Sequence, residues 1–302
     1  MGMVIAGADF GSNKVGYIVA EMKGGELETI ERESRFTRLA EGIAENNRLS
    51  GEAMARTLLY CNEMHKRFRK LGVEKFRGVG TEALRRASNT PDFLELIEPI
   101  LGWPVEVISG EEEGRITFHG VRMQYPKGPL AIIDIGGGSA EIVVGGDPPK
   151  RGREPVEIFS SRLGAVVLTE RCGERWNDLV KVIRSELRGW RPKCDLPEVL
   201  TVLGGTGTNL TMMDLDDHDV EDDHIEGHLI ELGRLEELRG RTQGMSPKQR
   251  VEKLGLIPQR ADIQIAGLAV LESVMDHLGV SAIRTTRFAL RHGVVRSIVQ
   301  DV

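Results

Sequence analysis

The sequence predicts an α/β protein of two similar domains, with its chemistry in the cleft between them. Three observations carry that expectation. The chain has 302 residues, room for two domains of ordinary size. Strand-like apolar runs alternate with helical periodicity along its length. The stretch Ile5-Ala6-Gly7-Ala8-Asp9-Phe10-Gly11-Ser12 also returns as Ala131-Ile132-Ile133-Asp134-Ile135-Gly136-Gly137-Gly138-Ser139. Each copy is an apolar strand ending in Asp, one apolar residue, then Gly and a hydroxyl residue.

In chain order, residues 4–10 read as a strand, 11–13 as a turn and 15–21 as a second strand. A Lys23-Gly24-Gly25 turn leads into a third strand over 27–32. Ser50 caps a helix to Leu71, with apolar residues at 54, 58, 59, 64, 68 and 71. A strand over 76–80 is followed by a helix opened by Thr81, then a helix from Pro91 to near Gly102. A strand over 105–108 precedes a helix capped by Ser109. From Leu130 the pattern restarts, with strands over 130–134, 140–145 and 156–160, a helix over 174–190, a buried strand over 199–203 and a short helix over 206–213. The acidic stretch 214–226 reads as a loop, 259–278 as one long helix, 282–285 as a strand and 288–300 as a terminal helix. We place the domains at 1–126 and 127–302, with the last helix free to pack back on the first.

Bulk properties narrow the function. Hydrophobic content of 40% and charged content of 28% suit a soluble protein with ordinary cores. The three cysteines, Cys61, Cys172 and Cys194, are scattered and suggest neither a zinc knuckle nor a disulfide framework. With no leader pattern and no apolar run near the ~20 residues of a membrane span, the expected location is cytoplasmic. The net charge of −6 is uneven: eight acids lie in 214–226, so the rest of the chain is net positive by two. Local field, not net charge, steers an anionic ligand. Arg32, Arg35, Arg38, Arg48 and Arg85 are the cations best placed for that, whereas Lys66–Lys70 reads as a solvated helix face.

The two Asp-Gly turns are where the chemistry gathers. Glycine at 11 and at 136, 137 and 138 lets successive N–H groups approach phosphate oxygens, and Ser12, Asn13 and Ser139 add side-chain donors. An Asp ending a buried strand needs a metal, a water or a donor network. Asp9 and Asp134 facing each other would hold Mg²⁺ (or Mn²⁺) against phosphate, with Glu141 as a second ligand beside Asp134. In Glu111-Glu112-Glu113, Glu111 complements the helix dipole, while one carboxylate at the cleft edge can activate water. Gly204-Gly205-Thr206-Gly207-Thr208 reads as a third phosphate or nucleotide loop, with Gly205, Thr206 and Gly207 as its contacts. His218, His224 and His228 show no ligand spacing and belong to a solvated loop. His65, His119 and His277 read as surface or packing residues.

Together these stretches resemble the exopolyphosphatase / guanosine pentaphosphate phosphohydrolase (Ppx/GppA) family, within the actin–Hsp70–sugar kinase superfamily. They are Ala8–Asn13, Gly80–Ala87, Ile108–Arg115, Ile133–Glu141, Gly204–Thr208 and Arg260-Ala261-Asp262. The resemblance implies two tandem ribonuclease H-like (actin-like ATPase) domains with an interdomain active-site cleft. It places the general base on Glu113 and metal-associated acids on Asp134 and Glu141. It places phosphate contacts on Asn13, Arg85 and the 136–139 loop. The length matches the short form without the helical phosphohydrolase domain. Lys14 stands where the family usually has Ser and adds a cation at the first phosphate turn. Val167 and His292 replace a usual Arg and Glu.

The expected activity is release of terminal orthophosphate from inorganic polyphosphate by Mg²⁺-dependent attack of water. Hydrolysis of the 5′ terminal phosphate of guanosine pentaphosphate (pppGpp) is the close rival. An ATP-dependent kinase of the same superfamily, or a polyphosphate- or nucleotide-sensing protein without turnover, is more remote. Nucleic acid and membrane are not expected partners. A homodimer is the assembly we expect, although no sequence feature fixes it.

Overall fold

A computed structural model describes residues 2–24, 26–148 and 156–300. The turn expected at Gly24-Gly25 falls partly outside these, at Gly25. The backbone forms two compact units: the chain up to Gly120 together with residues from Leu290 onward, and Val121–Ala289.

The first unit opens with β1 (Val4–Phe10), β2 (Val15–Lys23) and β3 (Glu26–Arg35), followed by α1 (Ile43–Asn46) and α2 (Gly51–Leu71). It continues through β4 (Lys75–Gly80), α3 (Glu82–Arg86), α4 (Thr90–Leu101), β5 (Val105–Val107) and α5 (Gly110–Arg122). Its sheet order is β3-β2-β1-β4-β5. The first three strands are antiparallel, and β4 and β5 join parallel to β1. Strand alternation sends Ala6, Ala8 and Phe10 of β1 with Val15, Tyr17 and Val19 of β2 into one core. Helix α2 meets that core through Tyr60, Met64 and Phe68, spaced by four residues, with Phe68 edge-on to Tyr17 at 5.1 Å. Ser50 Oγ accepts from Ala53 N at 3.2 Å, and Gly72, at φ 70°, ends the helix.

The second unit repeats the plan with β6 (Leu130–Ile135), β7 (Ala140–Gly145) and β8 (Val156–Ser161), then α6 (Ala165–Cys172) and α7 (Trp176–Leu187). It continues with β9 (Val199–Leu203), α8 (Gly204–Leu215), α9 (Asp222–Ile225), β10 (Leu229–Glu231), α10 (Leu232–Thr242) and α11 (Pro247–Leu254). A 3-10 turn at Pro258–Arg260 leads to α12 (Gln264–Leu278) and β11 (Ala282–Thr285). The sheet order is β10-β11-β9-β6-β7-β8. As in the first unit, three antiparallel strands lead and parallel strands, here β9 and β11, follow on the far side of the first, with β10 added antiparallel at the edge. The last helix, α13 (Leu290–Gln300), packs on β1, β2 and β4 of the first unit. No helix among the described residues is long and apolar enough to cross a membrane. The α/β class with a repeated ribonuclease H-like sheet is as the sequence predicts.

Two element assignments need correction. The long helix expected over 259–278 begins only at Gln264, because Pro258 opens a separate 3-10 turn. The acidic stretch 214–226 is not a plain loop: α8 runs through Leu215 and α9 occupies 222–225. Local ties hold it. His228 Nε2 lies 2.7 Å from Asp214 Oδ2, and Arg234 Nε donates to Asp214 Oδ1 at 2.6 Å. Glu226 accepts from Tyr125 Oη at 2.6 Å and from Arg287 N at 3.1 Å. Charge alone makes this segment look solvated; its partners are nearby His228 and Arg234 and distant Tyr125 and Arg287.

Candidate active site

The first turn is closed by a hydrogen bond from Gly11 N to the Lys14 carbonyl at 3.1 Å. Its carbonyls are tied back by the chain that follows β3: Arg38 N donates to Asn13 O and Ala40 N to Ser12 O, both at 2.9 Å. Carbonyls engaged on one side leave the turn's N–H groups directed to the other, the arrangement that binds anions. The Lys14 ammonium lies 6.0 Å from the centre of the Phe36 ring. Arg38 adopts φ 50°, a left-handed conformation that costs a non-glycine residue energy and is held by those bonds.

Beside this turn stand the carboxyl ends of the parallel strands. Thr81 N donates to Phe10 O at 3.2 Å, and Ile108 N to Gly80 O at 3.1 Å, so β1, β4 and β5 end together. Arg85 reaches across from α3. Its Nη1 donates to the Ile108 carbonyl at 3.0 Å and to Glu113 Oε2 at 2.7 Å, and its Nη2 lies 3.2 Å from Glu82 Oε2. Arg85 and Glu113 side chains retain only 18% and 12% of their exposure, which makes this a sheltered ion pair rather than a surface one. Ser109 Oγ accepts from Glu112 N at 3.1 Å and starts α5, fixing the turn of helix that carries Glu113. The predicted base and the predicted phosphate contact are therefore partners. Glu82, to which the sequence assigned no role, is the third member.

The second turn has the same closure, Gly136 N to Ser139 O at 2.9 Å. Here the N-terminus of α6 ties back the carbonyls: Ala165 N bonds Gly136 O at 2.9 Å and Val166 N bonds Gly137 O at 3.0 Å. The approach is so close that a Cβ on Gly164 would lie 2.3 Å from Gly137 O. Asp134 and Glu141 are directly opposed in the β6–β7 register, so both side chains leave one face of the sheet. Glu141 is 3% exposed and accepts from Ser160 Oγ at 3.1 Å. Two neighbouring carboxylates at a glycine turn suit a hard cation that takes its remaining ligands from phosphate and water. Among the described residues no three His, Cys, Asp or Glu side chains form a ready-made cage.

The third loop lies against Asp134. A Cβ on Gly204 would be 3.5 Å from Asp134 Oδ1, and one on Gly205 would be 2.0 Å from Arg260 Nε. Burial pulls the Arg260 guanidinium below its ordinary range, and the Asp134 charge opposes that shift. Gly205, Thr206 and Gly207 are buried in the first turn of α8, so packing under Arg260 and over Val202 accounts for these small residues. In sequence, Arg260 stands only as part of Arg260-Ala261-Asp262, with no sign of its place over Gly205.

A sequence model of the Ppx/GppA phosphatase family matches residues 18–302. The chain belongs to this family. A Ppx/GppA family member from Aquifex aeolicus is 26% identical over 99% of this chain and 98% of its own, with a TM-score of 0.85. An exopolyphosphatase from Cytophaga hutchinsonii shares the fold at a TM-score of 0.87 and 22% identity, covering 99% of both chains. Ppx/GppA membership makes this chain a phosphoanhydride hydrolase with an actin-like fold.

Proposed function

We propose that the chain is an exopolyphosphatase, releasing terminal orthophosphate from inorganic polyphosphate with Mg²⁺ or Mn²⁺. The placement of Glu113 carries this reading: a carboxylate at the carboxyl ends of β1, β4 and β5, its orientation fixed by Arg85. Glu113 takes a proton from water as the water oxygen attacks the terminal phosphorus. The bond from that phosphorus to the bridging oxygen breaks, and the shortened chain leaves with the electron pair. At the first turn the N–H groups of residues 12–13 with the Ser12 and Asn13 side chains hold phosphate oxygens, and at the second those of 137–139 with the Ser139 side chain do so. The Gly11 and Gly136 N–H groups close the turns. Lys14 and Arg85 add positive charge, and the buried Gly205–Gly207 stretch supports Arg260 from beneath rather than meeting the phosphate chain. Asp134 and Glu141 would hold the cation, which would supply charge neutralisation at the phosphate oxygens.

The test is a phosphate-release assay on polyphosphate, guanosine pentaphosphate and ATP without any acceptor, with and without EDTA. Fastest release from polyphosphate, lost in EDTA, supports the proposal. Preference for guanosine pentaphosphate replaces the substrate, and release that needs ATP and an acceptor removes the hydrolase assignment. Glu113→Gln is expected to lower kcat by about 10²–10⁴-fold with KM nearly unchanged. Near-normal turnover of that variant moves the base elsewhere. Charge reversal at Lys14 is expected to weaken long chains more than short ones, read as KM against chain length.

A further inference from the structure

Asp9 stands opposite Gly16 in the β1–β2 register, the position that Glu141 takes opposite Asp134. Glycine inside a strand weakens it, so its presence here asks for a reason. A Cβ on Gly16 would lie 2.4 Å from Nη1 and 2.9 Å from Cζ of Arg291. The guanidinium thus fills the space that the second turn gives to a carboxylate. Its Nε lies 3.4 Å from Asp9 Oδ2, and its Nη1 donates to the Glu33 carbonyl at 3.3 Å. The two side chains keep 12% and 15% of their exposure.

Arg291 is delivered by the start of α13, and two more glycines clear that helix's path. A Cβ on Gly7 would lie 2.6 Å from Val295 Cγ2, and one on Gly293 would lie 1.9 Å from the Ile116 carbonyl oxygen. Ile5, Ile18, Ala20 and Val295 complete the seat on the same face of the sheet. A sheltered ion pair is a poor source of stability, because desolvation offsets the attraction. Its Nε is buried without a hydrogen bond among the described residues, so the contact with Asp9 is a loose ion pair. Catalytic contacts are often long in the unliganded state and tighten on loading.

We infer that Arg291 is a positioning residue for Asp9. It neutralises and aims the carboxylate, so that this charge does not repel phosphate arriving at the first turn. The inference rests on the proposal that this turn binds phosphate. Arg291→Gln is expected to raise KM for the phosphoanhydride substrate about tenfold, with kcat changed less than about threefold, as expected for a lost charge-assisted contact. Arg291→Lys keeps the charge and recovers most of the loss. Gly16→Ala pushes the guanidinium aside without removing it and raises KM in the same direction. The double variant Gly16→Ala/Arg291→Gln is expected to be no worse than Arg291→Gln alone.

An unchanged KM in Arg291→Gln, or multiplied losses in the double variant, overturns the inference. Wild-type protein that releases phosphate from none of polyphosphate, guanosine pentaphosphate and ATP counts against the proposed function instead. The pairing is then read by thermal melting of Asp9→Asn, Arg291→Gln and their combination. Non-additive shifts support it and additive shifts overturn it.

Discussion

The two Asp-Gly turns share a backbone and differ in what faces the aspartate. Each is closed by one hydrogen bond from its glycine and has its carbonyls tied back by the chain after the third strand. In the second turn, Asp134 is matched by a carboxylate within the repeat, Glu141, and by the nearby charge of Arg260. In the first, Asp9 is matched by Gly16 and by a cation on the last helix, Arg291. Backbone geometry here is a property of the repeat, whereas charge is set separately in each copy. Under the proposed function, the paired carboxylates of the second turn would serve a cation, and the Asp9–Arg291 pair of the first would keep negative charge from phosphate.

The largest expected effects test this division directly. Asp134→Asn or Glu141→Gln is expected to lower kcat/KM by about 10³-fold and to raise the Mg²⁺ concentration for half-maximal rate. Asp9→Asn, which removes the charge that Arg291 offsets, is expected to change kcat/KM by less than about tenfold and to leave that Mg²⁺ concentration unmoved. A Mg²⁺ titration of the three variants checks both, and a shift in Asp9→Asn breaks the comparison.

A smaller effect separates the two backings. Gly164→Ala places a Cβ 2.3 Å from Gly137 O, against backbone that has nowhere to go. It is expected to cost about 1–3 kcal/mol of stability by denaturant unfolding and to disturb the second turn alone. The first turn is backed instead by Arg38 at φ 50°. Arg38→Gly is expected to be about 1 kcal/mol more stable than Arg38→Ala, since only glycine adopts that conformation without penalty. Equal stability of the two would mean the backbone relaxes there.

Much of this was legible along the chain. The repeat 5–12 and 131–139 announced two like sheets, and alternation about Asp9 and Asp134 placed both at strand ends. Ser50 and Ser109 marked the helices they start. Gly16 carried a signal that strand propensity alone can raise, a glycine amid Val15, Tyr17 and Ile18, but its reason lay 275 residues away at Arg291. His228 looked solvated because its partner Asp214 belongs to the same acidic run, and only folding shows that they touch.

The sequence by itself determined the α/β class, the duplicated turn and the residue types able to bind phosphate and a cation, because these follow from local periodicity and local backbone freedom. Glu141 beside Asp134 was already legible in the sequence, whereas tertiary structure decided the other pairings: Arg85 with Glu113, Arg260 over Gly205, and Arg291 against Asp9. Charges interact over a few ångströms in space, and separation along the chain says little about that distance until the strands have found their register.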